Sequence, residues 1–320
     1  MSILTIRLSN YVMQKLIRSL LIVCIVGLTA CTPRSYGTIM GDTTTLAGLK
    51  AMGGTKKSNE HRATKESETK IRNMALRETA LSLGAQSGLA ARAKSIDEQL
   101  VHQTRNLDTV FDFKSLILDN NVLPPVLLQG NNSLNLANGH AIRISDRTYK
   151  LAKQARFVTT PPNWRQYLWL DYKQPDPPHV SMLPTDKEEK QVWCFYVEKG
   201  WQKGVEQADT ILSENIARIK EDFTGMILYR KLLAMNMVSP PYVSHTDLGV
   251  TGNGDELHID DRVLRITALP ALNTNTTEWR AAVAKDETKL KVLKKMEDQV
   301  NKAKVDVNTN SWQPVISPVN

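Results

Sequence analysis

Cysteine is scarce in this chain, with three in 320 residues. Two of them, Cys24 and Cys31, fall in or beside an N-terminal apolar run, which leaves Cys194 alone in the body. An intramolecular disulfide is therefore excluded once the N-terminus is processed, and the fold has to rest on its apolar core. Cys194 lies in Val192-Trp193-Cys194-Phe195-Tyr196, a setting that suits a buried, inert thiol better than a nucleophile. Long blocks of like charge are also missing, so the net charge of +8 reads as mildly basic and does not mark a dedicated nucleic-acid binder.

Catalytic signatures are absent as well. The six histidines are scattered, with no pair at i, i+4 and no HExxH. Gly84-Ala85-Gln86-Ser87-Gly88 places its serine one position late for a nucleophile elbow, and there is no Gly-rich phosphate loop ending in Lys-Ser/Thr. Asp255, Glu256, His258, Asp260 and Asp261 form a tempting cluster. They fall on a predicted hairpin, where alternate residues face opposite ways, so solvated charge is the expected role.

No apolar run reaches the ~20 residues that a membrane-spanning helix needs. The run that is present, Leu20 to Leu28, follows Arg7, Lys15 and Arg18 and ends in Leu28-Thr29-Ala30-Cys31. Scattered basic residues, a short apolar core and small residues at a cleavage point describe a secretory signal peptide. A bulky residue, two small ones and cysteine further resemble the bacterial lipobox. There the thiol takes a diacylglyceryl group, cleavage falls between Ala30 and Cys31, and the new N-terminus is acylated. Met13 is an alternative start. Removing residues 1–30 leaves 290 residues and takes away three basic groups, for a charge of about +5.

Residues 31–65, rich in Thr, Gly, Ser and Lys, read as a flexible tether of roughly 30 Å root-mean-square reach. A long helix is expected over about 67–105, on Ile71, Met74, Leu81, Ala85, Leu89, Ala93, Ile96 and Leu100. Ala80, Gly84 and Gly88, four apart, suggest close approach of another backbone. Val110 to Leu118 and Val122 to Leu128 are short apolar runs, the second forced into an extended path by Pro124-Pro125, and they precede a polar loop from Gly130 to Gly139. Strands follow at Ala141–Ser145, through Tyr149 and near Phe157.

Trp164 to Tyr172 is the densest aromatic stretch, and prolines follow it. It suits either a recognition ridge or an apolar plug under a loop. Trp164, Arg165, Tyr167, Trp169 and, later, Trp201 are the candidate partner contacts. Thr185-Asp186-Lys187-Glu188 opens a helix to Lys199. Gly200 is expected to interrupt it before a second long helix over about 201–238. Asn253-Gly254 predicts a two-residue hairpin turn. A C-terminal amphipathic helix, from Trp279 to about Ala303 and partly detached, precedes a disordered tail over 304–320. The expected fold is α+β: one globular body of long helices and a small, mainly antiparallel sheet over 66–270, with 271–303 as the terminal helical segment.

Five motifs occur in a fixed order. They are Asn121-Val122-Leu123-Pro124-Pro125-Val126, Trp164-Arg165-x-Tyr167-Leu168, Gly200-Trp201-x-x-Gly204-Val205-x-Gln207-Ala208, Asp222-Phe223-x-Gly225-Met226-x-x-Tyr229, and the region from Val250-Thr251-Gly252 to Arg265-Ile266-Thr267. Over about 66–269 the chain resembles the DotC lipoprotein family of type IVB secretion systems and related conjugative plasmids. The resemblance implies a lipid-anchored subunit on the periplasmic face of the outer membrane, without catalysis and with no cofactor beyond the covalent lipid at Cys31. It also implies DotD-like and DotH-like partners, with DotF- and DotG-like subunits completing a multi-copy ring, and help in placing the DotH-like channel subunit. No direct nucleic-acid contact is expected. The alternative is an envelope lipoprotein that binds or processes peptidoglycan.

Overall fold

Two long helices lying against each other organise the computed structural model, which describes residues 42–54, 66–138, 141–280, 284–303 and 305. The expected signal peptide, Cys31 and all of the expected tail except residue 305 fall outside those residues. In chain order the elements are α1 (Leu46–Ala51), α2 (Glu66–His102), α3 (Thr104–Val110), β1 (Val122–Leu123), β2 (Val126–Asn138), β3 (Ala141–Lys153), β4 (Arg156–Phe157), α4 (Arg165–Leu168), α5 (Lys187–Ala234), β5 (Tyr242–Gly252), β6 (Leu257–Ala268) and α6 (Ala284–Lys302). No helix among the described residues is long and apolar enough to cross a membrane. The mixed α+β class is as expected, but the strands do not make one sheet. They form three separate antiparallel ladders, β1–β4, β2–β3 and β5–β6.

The largest departure from expectation is α5, which runs unbroken for 48 residues where the sequence predicts two helices parted at Gly200. At 1.5 Å per residue it is about 70 Å long. Gly200 is retained for close packing. A methyl group there would overlap the Leu81 carbonyl oxygen, and one at Gly204 would overlap that of Ala85. The relation is reciprocal, since Gly84 and Gly88 of α2 lie against the carbonyls of Val197 and Trp201. Interior glycine costs a helix about 1 kcal/mol against alanine, and here the intimate backbone contact offsets it. Arg92, fully buried, crosses the same seam to Asp209 at 2.8 Å.

The small-residue row therefore packs as its spacing suggests. The apolar stripe proposed for the start of α2 does not: Ile71 and Met74 are about 70% exposed, and Leu76, Ala80 and Leu83 are buried in their place. The N-cap of α5 also shifts by one. Asp186 accepts from Glu189 N at 2.8 Å, and Glu189 accepts in turn from Thr185 N at 2.8 Å.

Part of the expected tether is ordered. Thr45 caps α1 by accepting from Gly48 N, and Leu46, Leu49 and Met52 are buried beside Leu76, Trp193 and Val197. Trp193 Nε1 donates to Leu49 O at 2.9 Å, and half-buried Cys194 has its sulfur 3.7 Å from Lys50 O. The threonine- and glycine-rich composition masks an apolar triplet spaced three apart. The other residues of that segment, 31–41 and 55–65, lie outside the described ones.

The terminal helix is not detached. Leu293 and Val300 of α6 enter the main core with Ile96, Leu100, Phe113 and Phe223, and Lys231 pairs with Glu297. Its start also differs: Asn275 caps only a 3-10 turn, Thr276–Glu278, ahead of α6.

Glu189 locks the N-terminal end of α5. Arg72 donates to it at 2.5 and 3.0 Å and also reaches the carbonyls of Ser181 and Leu183. Burial raises the Glu189 pKa, but Arg72 and the two Thr185 donors outweigh it and hold the carboxyl below 4.5. A depressed folded-state pKa contributes stability that is complete above the unfolded value and is lost as the pH falls through the folded one. Glu189→Gln should therefore flatten the loss of stability below pH 4.5, measured by denaturant unfolding across pH. Asp97 works with the opposite sign. Burial raises its pKa despite backbone donors at Leu170 and Asp171, so ionising it as pH climbs past 3.8 removes some stability.

Candidate assembly surface

Two hairpin arms leave the C-terminal half of α5. Gly225 seats the root of the first, for a methyl group there would come within 2.5 Å of Val126 Cγ1 and 2.8 Å of Leu127 O. Leu127 is buried against Tyr229, Leu232 and Val238, with Tyr149 and Leu151 packed beside them. Beyond that root the arm carries exposed aliphatic residues. Leu134 and Ile144, directly opposite in register, are 70% and 67% exposed, and Ile142 is 61% exposed. On β3 the alternation puts Arg143 and Arg147 on the face opposite Ile142 and Ile144. The polar stretch expected as a loop from Gly130 is instead strand as far as Asn138. Ser-Leu-Asn-Leu at 133–136 already alternates polar and apolar, the one sequence signal for this.

The second arm, β5–β6, has no buried residue in either strand. Val250, Leu257 and Ile259 are between 64% and 70% exposed. The expected Asn253-Gly254 two-residue turn is shifted by one: Asn253 N donates to Glu256 O, so Gly254-Asp255 forms the bend. Asn253 Oδ1 accepts from Asp255 N and Glu256 N. The register slips beside Gly249, whose φ of +74° disfavours any side chain although the space around it is open. A lone two-stranded hairpin is marginal in water, and its open edges invite another chain. Two such arms on one subunit are the features of this molecule best suited to assembly.

The aromatic segment resolves into both of its proposed roles, residue by residue. Trp164 is 1% exposed and donates from Nε1 to Asp108 at 2.6 Å, so it is a plug and has no face for a partner. Trp201 is 3% exposed in the α2–α5 seam, a second correction to the expected contacts. Tyr167 is half-buried: its ring stacks on Phe113 and its hydroxyl donates to Asp222 at 2.8 Å. Burial, and then that carboxylate, push the Tyr167 pKa upward. Asp222 also accepts from Lys153 of β3 at 2.6 and 2.7 Å. One carboxylate on α5 thus fastens both the aromatic segment and the root of the first arm. Arg165, lying over the Trp164 ring at 4.4 Å, and Trp169, 42% exposed, are the two candidate contacts that remain on the surface.

These anchors could not be read from the sequence. Asp97, Asp108 and Asp222 look like ordinary helix-surface acids until the fold brings a donor to each. Asp255, Glu256, His258 and Asp260 are exposed, Asp261 is half-buried and accepts from Thr251 Oγ1 at 2.6 Å, and among the described residues no cluster has metal-holding geometry.

Residues 70–281 match the model of a family described as type IV secretory system, conjugal DNA-protein transfer. The chain belongs to this family. No curated protein matches it. The matched residues run from the first turns of α2 to just short of α6, and so include the glycine seam, the aromatic segment and both arms. Family membership gives the chain a role in a type IV secretion or conjugation system and makes other components of that system its partners.

Proposed function

We propose that the protein is an outer-membrane lipoprotein, anchored through Cys31, that serves as a non-catalytic structural subunit of a type IVB secretion or conjugation core. In this role it helps a DotH-like channel subunit reach the outer membrane, beside a DotD-like lipoprotein and with DotF- and DotG-like subunits completing the core. The observation that carries the reading is family membership over a segment that holds two long hairpin arms bearing exposed aliphatic residues. The ordered motifs from Asn121 to Thr267 support the DotC-like assignment within that family. Leu28-Thr29-Ala30-Cys31 supports the lipid anchor, and Thr32, in place of the aspartate used for inner-membrane retention, suits outer-membrane sorting. One acyl chain binds a bilayer only marginally at about 0.8 kcal/mol per buried CH₂, whereas the diacylglyceryl and N-acyl chains together anchor stably.

Membrane fractionation of Cys31→Ser tests the anchor. The variant is expected as a folded periplasmic protein lost from the outer-membrane fraction. An unchanged distribution would overturn lipid anchoring at Cys31.

A further inference from the structure

The two arms carry opposite charge. The strands of the first contain Arg143, Arg147, Lys150 and Lys153 against a single acid, Asp146. The second contains Asp247, Asp255, Glu256, Asp260 and Asp261 against Arg262 and Arg265. Lys153 is held at the root by Asp222, while no ion pair of Arg143, Arg147 or Lys150 is seen among the described residues. On the acidic arm Asp247 faces Arg262 at 3.8 Å and Glu256 faces His258 at 3.5 Å, both within the arm. Among the described residues no ion pair joins one arm to the other, so neither arm neutralises the other within one copy.

The arms match in other respects. The strands are 13 and 13 residues long in one arm and 11 and 12 in the other. Each is a two-stranded ladder with no further strand paired to its edges among the described residues, and each carries exposed aliphatic residues as well as charge, Leu134 and Ile144 on one and Val250 and Ile259 on the other. Strand addition uses such an edge for backbone hydrogen bonds and side-chain complementarity for choice of partner.

We propose that the basic β2–β3 arm of one copy docks on the acidic β5–β6 arm of a second copy of this chain. Every copy then offers one arm of each kind. The contact is heterologous, and repeating it generates a ring if the rotation closes and a filament if it does not. The inference deepens the structural-subunit reading, because it names one partner of that subunit, but it is tested separately from membrane placement.

The test uses two reversed-charge forms of the full chain in detergent, analysed by sedimentation at low ionic strength. Arg143→Glu/Arg147→Glu/Lys150→Glu makes both arms acidic, and Asp247→Lys/Asp255→Lys/Glu256→Lys makes both basic. The native chain should associate, and should fall to monomer at about 1 M salt, where the screening length is about 3 Å. Each reversed form alone should be monomeric with an unchanged circular dichroism spectrum. Mixing the two should restore association, because each then meets the opposite arm. Since the mixture recovers what each form has lost, damage to folding is distinguished from loss of the contact. A native chain that stays monomeric, reversed forms that associate as the native chain does, or a mixture that stays monomeric would each overturn the proposal. None of these outcomes bears on whether Cys31 anchors the protein.

Discussion

Gly204→Ala is expected to destabilise the protein although alanine is the better helix former. Propensity alone favours alanine in a helix interior by about 1 kcal/mol. Against that, the added methyl would overlap the Ala85 carbonyl and come within 2.7 Å of Leu89 N. Both are backbone atoms of α2, so no rotamer change relieves the clash and two packed helices have to part. Overpacking of a close-fitted core costs about 1–3 kcal/mol, and a rigid backbone target belongs at the upper end of that range. The expected net result is a loss of about 2 kcal/mol in denaturant unfolding followed by circular dichroism. Gln202→Ala, on the exposed side of α5, should stay within about 0.5 kcal/mol of the parent. If Gly204→Ala matched or exceeded the parent, the helices would not be as close as described and the seam would lose its explanation.

The second large effect separates the two tryptophans of the aromatic segment, Trp164 and Trp169. Trp164→Ala empties a site that is 1% exposed and leaves Asp108 without its indole donor. Truncating a buried tryptophan costs about 3–5 kcal/mol. Trp169→Ala removes a side chain from a residue that is 42% exposed and should cost about 1 kcal/mol or less. Thermal unfolding of the two variants makes the comparison. Were Trp164 a partner contact, its removal would spare the isolated chain and weaken only association, so a stable Trp164→Ala protein would contradict its assignment to the core.

Both long helices are legible from periodicity, as is the close packing implied by Gly84 and Gly88. What periodicity could not supply was which glycines break a helix and which sit in a contact. Gly200 looks like punctuation in one dimension, and only the Leu81 backbone opposite it reveals its purpose. Leu46, Leu49 and Met52 were hidden by the composition around them, because six helical residues carry too little pattern to stand out. At the assembly surface, the Trp164–Tyr172 segment was conspicuous for its rings, yet large rings serve interiors and interfaces alike. Burial alone divides Trp164 from Trp169. The arms were the reverse case. β3 alternates and reads as extended, but its pattern divides it into one strand at Ala141–Ser145 and another through Tyr149, where a single strand runs from Ala141 to Lys153. β2, by contrast, begins at a proline pair and continues through asparagine, serine and glycine, residues that favour turns. Their opposite charge was present in the sequence throughout, but it gained meaning only once each set was seen on a separate protruding ladder.

The central claim, a membrane-anchored subunit of a type IV assembly, is met most directly by crosslinking the intact envelope and sizing what this chain comes down with. Native protein should be recovered in a high-mass complex with other secretion components, and Cys31→Ser should lose that recovery. A native chain recovered only as a monomer that binds or cleaves peptidoglycan would contradict the account.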